Sequence, residues 1–241
     1  MRLTIVCALG ALLAATPVAA HDITAASDPA VDPAFDITHA TATTDGRLAT
    51  FAIEVSGAAG ASVPAPTGQL AGAKVDAYVW PTKLDPGAVG FAPASGLLAL
   101  AITAHPDFDD TPLFDENGDG KRDNDGDLWH SHWVVLRPDA ACGKDALKVV
   151  DIPEGSRPRV PRTWPGLPIL IDSPGWSPTF DGGVVEVRVP FDDVSAVEAG
   201  SFDGVTAALR VNASVHDPLL CVADVFKVAS GDLSLPGRVN R

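Results

Sequence analysis

Residues 35–55 read FDITHATATTDGRLATFAIEV, two runs of alternating apolar and polar side chains on either side of Asp45-Gly46. Alternation with a period of two sends every second side chain to one face of a strand. Asp-Gly readily takes the positive φ angles of a tight turn, so 35–43 and 48–55 are predicted to pair as an antiparallel hairpin. On that hairpin His39 shares a face with Phe35, Ile37 and Thr41, which makes it a core-directed, hydrogen-bonded histidine.

The same texture extends in both directions. The chain holds 22 glycines and 21 prolines, well spread, and the segments between them are short and rich in Val, Ile, Thr and aromatic residues. Further strands are predicted over 74–80, 97–104, 129–136, 147–152, 168–171, 184–191, 205–215 and 221–228. No long stretch has helical periodicity, and without crossover helices an α/β fold is disfavoured. The expectation is an all-β protein, an antiparallel β-sandwich of immunoglobulin-like or jelly-roll-like type with long loops and little helix. The segment 56–73 resembles a linker in composition, yet one hairpin before it is too little to fold alone. Residues 153–168 could be a second seam or an ordered surface loop. One domain over 21–241 is the expected organisation.

Upstream of residue 21 the chain has Arg2, an apolar run over 3–13 and small residues ending in Val18-Ala19-Ala20. This is the layout of a secretory signal cleaved after Ala20, which predicts a secreted or periplasmic protein beginning at His21. The run is too short to span a bilayer, and no other segment reaches the roughly 18 apolar residues a span requires. Cys7 falls inside the signal. Cys142 and Cys221 remain, and in an oxidising compartment they are expected to form a disulfide; a thiolate metal ligand or a catalytic thiol is the competing reading. Lys and Arg number 17 against 31 Asp and Glu, a balance that argues against nucleic acid as a partner. Metal ions remain, along with an unspecified protein or carbohydrate.

Much of that acidity is local. Residues 105–132 read HPDFDDTPLFDENGDGKRDNDGDLWHSH, with nine carboxylates against Lys121 and Arg122. Within it, Asp115-x-Asn117-x-Asp119-Gly120-x-x-Asp123 resembles the first nine positions of the calcium loop of EF-hands and of the DxDxDG loops of dockerins and thrombospondin type 3 repeats. The resemblance implies calcium ligands at Asp115, Asn117, Asp119, the carbonyl of Lys121, and Asp123 directly or through water. Position twelve, a bidentate Glu in EF-hands, is Gly126 here. The shell would then be closed by Asp127 or Asp125, or by Asp109 or Asp110. Neither flank is helical, so a calcium loop set between strands, at about 105–128, is expected to act as a clamp and not as a sensor.

The ends of this loop carry histidines. His130 and His132 are two residues apart on a predicted strand and point to one face with Val134 and Leu136. Trp129, Ser131, Trp133 and Val135 point the other way, where the two tryptophans could stack a sugar but more simply pack a core. His105 ends the preceding strand. If the two strands pair, three imidazoles converge as a site for zinc or copper, similar to the ligand sets of many β-sheet zinc and iron enzymes. His21, as a mature N-terminus, resembles half of the copper-chelating histidine brace of polysaccharide monooxygenases, with His39, His105, His130, His132 or His216 as its second half. Asn212-Ala213-Ser214 fits a glycosylation acceptor in a eukaryotic host, and His216 sits at a turn. There is no G-x-S-x-G elbow, P-loop, Rossmann fingerprint or C-x-x-C, and no nucleophile is identified with its base. The leading expectation is an exported, calcium-stabilised metal-binding protein. An exported metalloenzyme (a zinc hydrolase or lyase, or a copper oxidase) and a calcium-stiffened carbohydrate- or protein-binding module are the alternatives.

Overall fold

The computed structural model describes residues 21–213 and 217–241. The expected signal segment with Cys7, the turn residue His216 and Ser214 of the glycosylation acceptor lie outside the described residues. In chain order the strands are β1 (Ile23–Thr24), β2 (Ile37–Asp45), β3 (Leu48–Val55), β4 (Lys74–Pro81), β5 (Leu97–Ala104), β6 (His130–Pro138), β7 (Leu147–Val149), β8 (Ile171–Asp172), β9 (Thr179–Asp181), β10 (Val184–Pro190), β11 (Ser201–Phe202), β12 (Val205–Val211), β13 (Leu220–Val228) and β14 (Gly237–Arg238). Two single-turn helices, Pro86–Val89 and Ser195–Glu198, are the helical elements among the described residues. No helix there is long and apolar enough to cross a membrane.

The hairpin quoted above forms as its pattern dictates, from Asp45 opposite Leu48 to Ile37 opposite Val55, with Gly46 at a φ of 60°. It is the centre of a five-stranded antiparallel sheet in the order β1-β2-β3-β10-β9. One detail departs from simple alternation. A register shift between Ile37 and His39 changes the phase of β2, as a bulge does, so Ile37, Ala40 and Ala42 are buried while His39 is turned outward and half exposed. His39 is therefore not a core histidine; its Nε2 lies 3.6 Å from Asp22 Oδ2.

The second sheet closes on itself. β5, β4, β12, β13, β7 and β6 follow one another as neighbours, and β6 then pairs with β5 along 97–103, which makes a six-stranded barrel with β8 as an extra strand on β6. The expected sandwich of two open sheets is thereby revised: all-β and antiparallel hold, but one layer is a barrel. The residue pattern explains the closure. In β5, LLALAITA, both faces are apolar: Leu98, Leu100 and Ile102 pack toward the five-stranded sheet, and Ala99 and Ala101 face the barrel interior. An open sandwich layer would carry polar residues on its outer face.

Between sheet and barrel, Phe51 of β3 meets Trp80 and Trp133 edge to face, with ring centroids 6.1 and 6.3 Å apart. Lys227 of β13 pairs with the buried Asp36 just before β2, and Thr206 Oγ1 donates to Phe35 O at 2.6 Å, so polar contacts also join the two layers. Segment 56–73 is no free linker: Tyr78 Oη accepts from the Gly60 amide at 2.8 Å, and the Thr67 and Gly68 amides donate to Asp107 at 2.7 and 2.6 Å. Residues 153–168 form a closed surface loop, with Ile152 N donating to Pro168 O at 2.7 Å.

Candidate metal centre

β5 and β6 are the two strands that the acidic loop connects. Their antiparallel register sets Thr103 opposite His130 and Ala101 opposite His132. The chain leaves β5 at His105, whose backbone amide donates to Gly126 O at 2.5 Å as the loop returns. Gly126 is required at this closure: a Cβ there would lie 1.8 Å from Phe108 O and 2.5 Å from His105 O. The three imidazoles expected to converge do so, and the loop adds a fourth group, Asp110.

Asp110 Oδ1 lies 3.3 Å from His105 Nε2, 3.2 Å from His130 Nε2 and 3.3 Å from His132 Nε2. The Nε2 atoms of His105 and His130 are 3.0 Å apart. All four residues are buried. Each histidine turns its other nitrogen to a backbone carbonyl: His105 Nδ1 to Phe108 O at 2.8 Å, His130 Nδ1 to Leu128 O at 2.7 Å, and His132 Nδ1 to Asp172 O at 3.1 Å. A carbonyl oxygen only accepts, so each Nδ1 carries the proton and, in the neutral ring, each Nε2 is a bare lone pair. Phe108 also stacks on His105 with centroids 4.1 Å apart. Ser173 Oγ, 3.2 Å from His132 Nδ1, donates to Asp110 O at 2.9 Å and ties the two ligand-bearing segments together.

Three lone pairs and a carboxylate oxygen thus face one another in a buried space. Without a positive charge among them this is repulsive, and His132 Nε2 has no hydrogen-bond partner among the described residues. The cluster's own titration answers the crowding in part. Burial disfavours a charged imidazole, but Asp110 outweighs it at His105 and raises that residue, while burial prevails at His132 and lowers it. Asp110 itself is buried, which favours its neutral form, yet the surrounding histidines hold it well below the ordinary carboxylate range. One proton relieves one contact; a divalent cation relieves all four. The group could hold a metal ion, and the orienting carbonyls are the supports that metal-ligating histidines commonly have.

The acidic loop holds a second group. Asp109, Glu116 and Asp125 offer carboxylate oxygens that lie within 4.8 Å of one another. Asp109 Oδ2 accepts from the Asp125 amide and Asp125 Oδ2 from the Glu116 amide, both at 2.8 Å. That leaves Asp125 Oδ1 and both Glu116 oxygens buried without partners. Asp125 is 1 % exposed, and burial pushes the Glu116 carboxyl up. The Thr111 hydroxyl offers no relief, since its single proton goes to Asp109 Oδ1 at 2.9 Å.

The expected calcium ligands are placed next to this group. Asp115 Oδ1 accepts from the Gly118 amide at 2.7 Å and Oδ2 from Gly120 at 2.7 Å, Asn117 Oδ1 accepts from Asp119 at 2.8 Å, and Asp119 Oδ1 accepts from Lys121 at 2.8 Å. The glycines at 118 and 120 supply positive φ, 73° and 90°. Asn117, Asp119, Lys121, Asp123 and Asp127 are exposed. These bonds shape the loop, and at its base lie the buried carboxylate oxygens without partners.

His21 stands apart from the centre: it is exposed, and its carbonyl accepts from the Arg238 amide at 3.0 Å. Cys142 and Cys221 are joined as a disulfide. Trp133 is fully buried in the core, and the half-buried Trp129 packs against that core on Tyr78 and Phe180, with its Nε1 donating to Gly60 O at 3.1 Å. The sequence singles out Asp110 only as a possible closing ligand of the calcium loop, not as a partner of the histidines; its place five residues after His105 is the signal that could have linked it to them. No protein-family model matches this chain, and no curated protein or solved structure matches it significantly.

Proposed function

We propose that this is an exported metal-binding protein that holds one divalent transition ion on His105, Asp110, His130 and His132, with zinc as the ion best suited. The observation that carries the reading is the convergence of three buried imidazoles, their tautomers fixed by backbone carbonyls, on the buried Asp110 carboxylate. Four donors about 2.0–2.1 Å from a tetrahedral ion stand about 3.3–3.4 Å apart, close to the spacing of Asp110 Oδ1 from all three Nε2 atoms. A square-planar copper(II) site would set one donor about 4 Å from its opposite, which this arrangement does not favour. Four protein donors make a site that holds its ion, which supports a carrier or stabilising role over hydrolysis. Export is supported by the signal-like segment 1–20 and by the disulfide.

Calcium is proposed for the loop, on Asp109, Glu116 and Asp125, supported by their spare buried oxygens and by the calcium-loop resemblance alongside. Elemental analysis of protein purified from the export compartment tests both assignments. Near-stoichiometric zinc and calcium are expected. His130→Ala should lose the zinc and keep the calcium, and Asp110→Asn should weaken zinc binding at least about 100-fold by removing the one anionic donor. Absence of both metals from the native protein, together with failure of the metal-free protein to take up zinc on titration, would sink the reading.

A further inference from the structure

We propose that the barrel interior is a binding chamber for a small alkyl carboxylate, whose head meets the metal on the side opposite His130. The inference rests on the metal-binding reading above. A cavity of about 330 Å³ lies within the barrel, inside the range of about 300–1,000 Å³ typical of small-molecule sites. Small barrels ordinarily fill their interiors with side chains. Here the inward positions of β5 and β12 include Ala101 and Ala207, small residues that line the cavity and leave it open.

The chemistry of the walls is segregated. Aliphatic residues such as Val75, Val134, Ile171 and Leu209 form them, and among the described residues the polar lining is confined to Thr103, His105, Asp110 and His132. A ligand that fits must therefore be apolar along its body and polar at one end only. Three of the four proposed metal donors border the cavity, and His130 does not. The triangular face made by His105, Asp110 and His132 is thus the one turned to the chamber, and a fifth donor entering through it would lie opposite His130. Zinc and cobalt(II) accept a fifth ligand in this way.

Charge selects the head. Three neutral imidazoles and one carboxylate leave a divalent ion with a net positive charge in a buried site, and a single anionic oxygen donor neutralises it. A carboxylate does so while keeping its alkyl chain among the aliphatic walls.

Cobalt(II)-loaded protein titrated with decanoate and with acetate tests this through the visible ligand-field bands, which weaken when a tetrahedral ion becomes five-coordinate. Decanoate should produce the change at a concentration at least about 100-fold lower than acetate, because only its chain fills the chamber. Ala207→Phe and Leu209→Trp, which add bulk at two cavity-lining positions that supply no metal donor, should keep the cobalt spectrum and abolish the advantage of decanoate over acetate. If neither variant folds, the chain-length dependence in the unaltered protein decides alone. Cobalt uptake with no response to decanoate, or with equal responses to decanoate and acetate, overturns the inference and leaves the metal reading standing. Failure to take up cobalt or zinc overturns the metal reading, and the proposed seat of the carboxylate with it.

Discussion

Gly126 couples the loop to the proposed metal ligands through a single carbonyl. Phe108 O accepts from His105 Nδ1 at 2.8 Å, and the same oxygen is what a Cβ at residue 126 would strike. Gly126→Ala should therefore rotate or release His105, although residue 126 offers the metal no donor of its own. Zinc affinity is expected to fall about 10- to 100-fold, the usual effect of losing an orienting partner, while Leu113→Ala, at an exposed position of the same loop, should leave it unchanged. Competition against a chromophoric chelator measures both. In the sequence Gly126 looked like a defect, the wrong residue at the twelfth position of a calcium loop. The calcium resemblance supplied a pattern for the ion's shell and none for the loop's closure, and a close backbone approach leaves no mark in one sequence beyond the glycine itself.

At the scale of elements, β6 shows what a sequence can carry. His-Ser-His-Trp-Val-Val-Leu alternates, so its two faces were legible: His130, His132, Val134 and Leu136 to one side, Ser131, Trp133 and Val135 to the other. What each face meets was not legible, because alternation is local and strand pairing is not. The closing of β5 on β6 into a barrel depends on partners more than a hundred residues away, and the only local hint was that β5 is apolar on both faces. The bulge in β2 was equally hidden, since it shifts phase without changing composition. Another long-range device joins the layers: Lys227 of β13 reaches Asp36 beside β2. Burial alone would raise the Asp36 carboxyl, but Lys227, the Ser27 hydroxyl and the Asp28 amide outweigh it and lower it. Replacing Lys227 with Met strands a buried carboxylate and should cost roughly 3 kcal/mol at neutral pH, near the low end for a broken buried pair because Ser27 and Asp28 remain. A depressed carboxylate stabilises above its unfolded value of about 3.9 and loses that contribution as pH falls through its folded value. The gap between the two proteins in urea unfolding should accordingly narrow below about pH 4.

For the whole molecule, metal and pH should act on stability in opposite senses. An ion that binds only the folded chain stabilises it by about 2.7 kcal/mol at 100 times its dissociation constant, which for a chain of this size is about 5–10 °C in thermal midpoint. Zinc needs its histidines unprotonated, so this gain shrinks as pH falls through the histidine range, about 6.5. The metal-free protein is pulled the other way by two carboxyls. Burial raises Asp172, against its bond from Thr163, to about 6, and burial raises Asp76, against the nearby Lys74, to about 6. A carboxyl raised in the folded state stabilises fully below its unfolded value and loses that contribution as pH rises through the folded one. His105, raised by Asp110, adds to this trend, and His132, lowered by burial, opposes it. The balance favours the metal-free fold toward pH 5 and the zinc-loaded fold toward pH 8. Thermal midpoints of dialysed and zinc-loaded protein between those limits should diverge as pH rises. Because Asp172 O also orients His132, Asp172→Asn separates the two effects: it removes the titrating group and keeps the backbone acceptor. In that variant the metal-free midpoint should depend less on pH between 5 and 7, while the zinc-dependent gain at pH 8 stays at its original size.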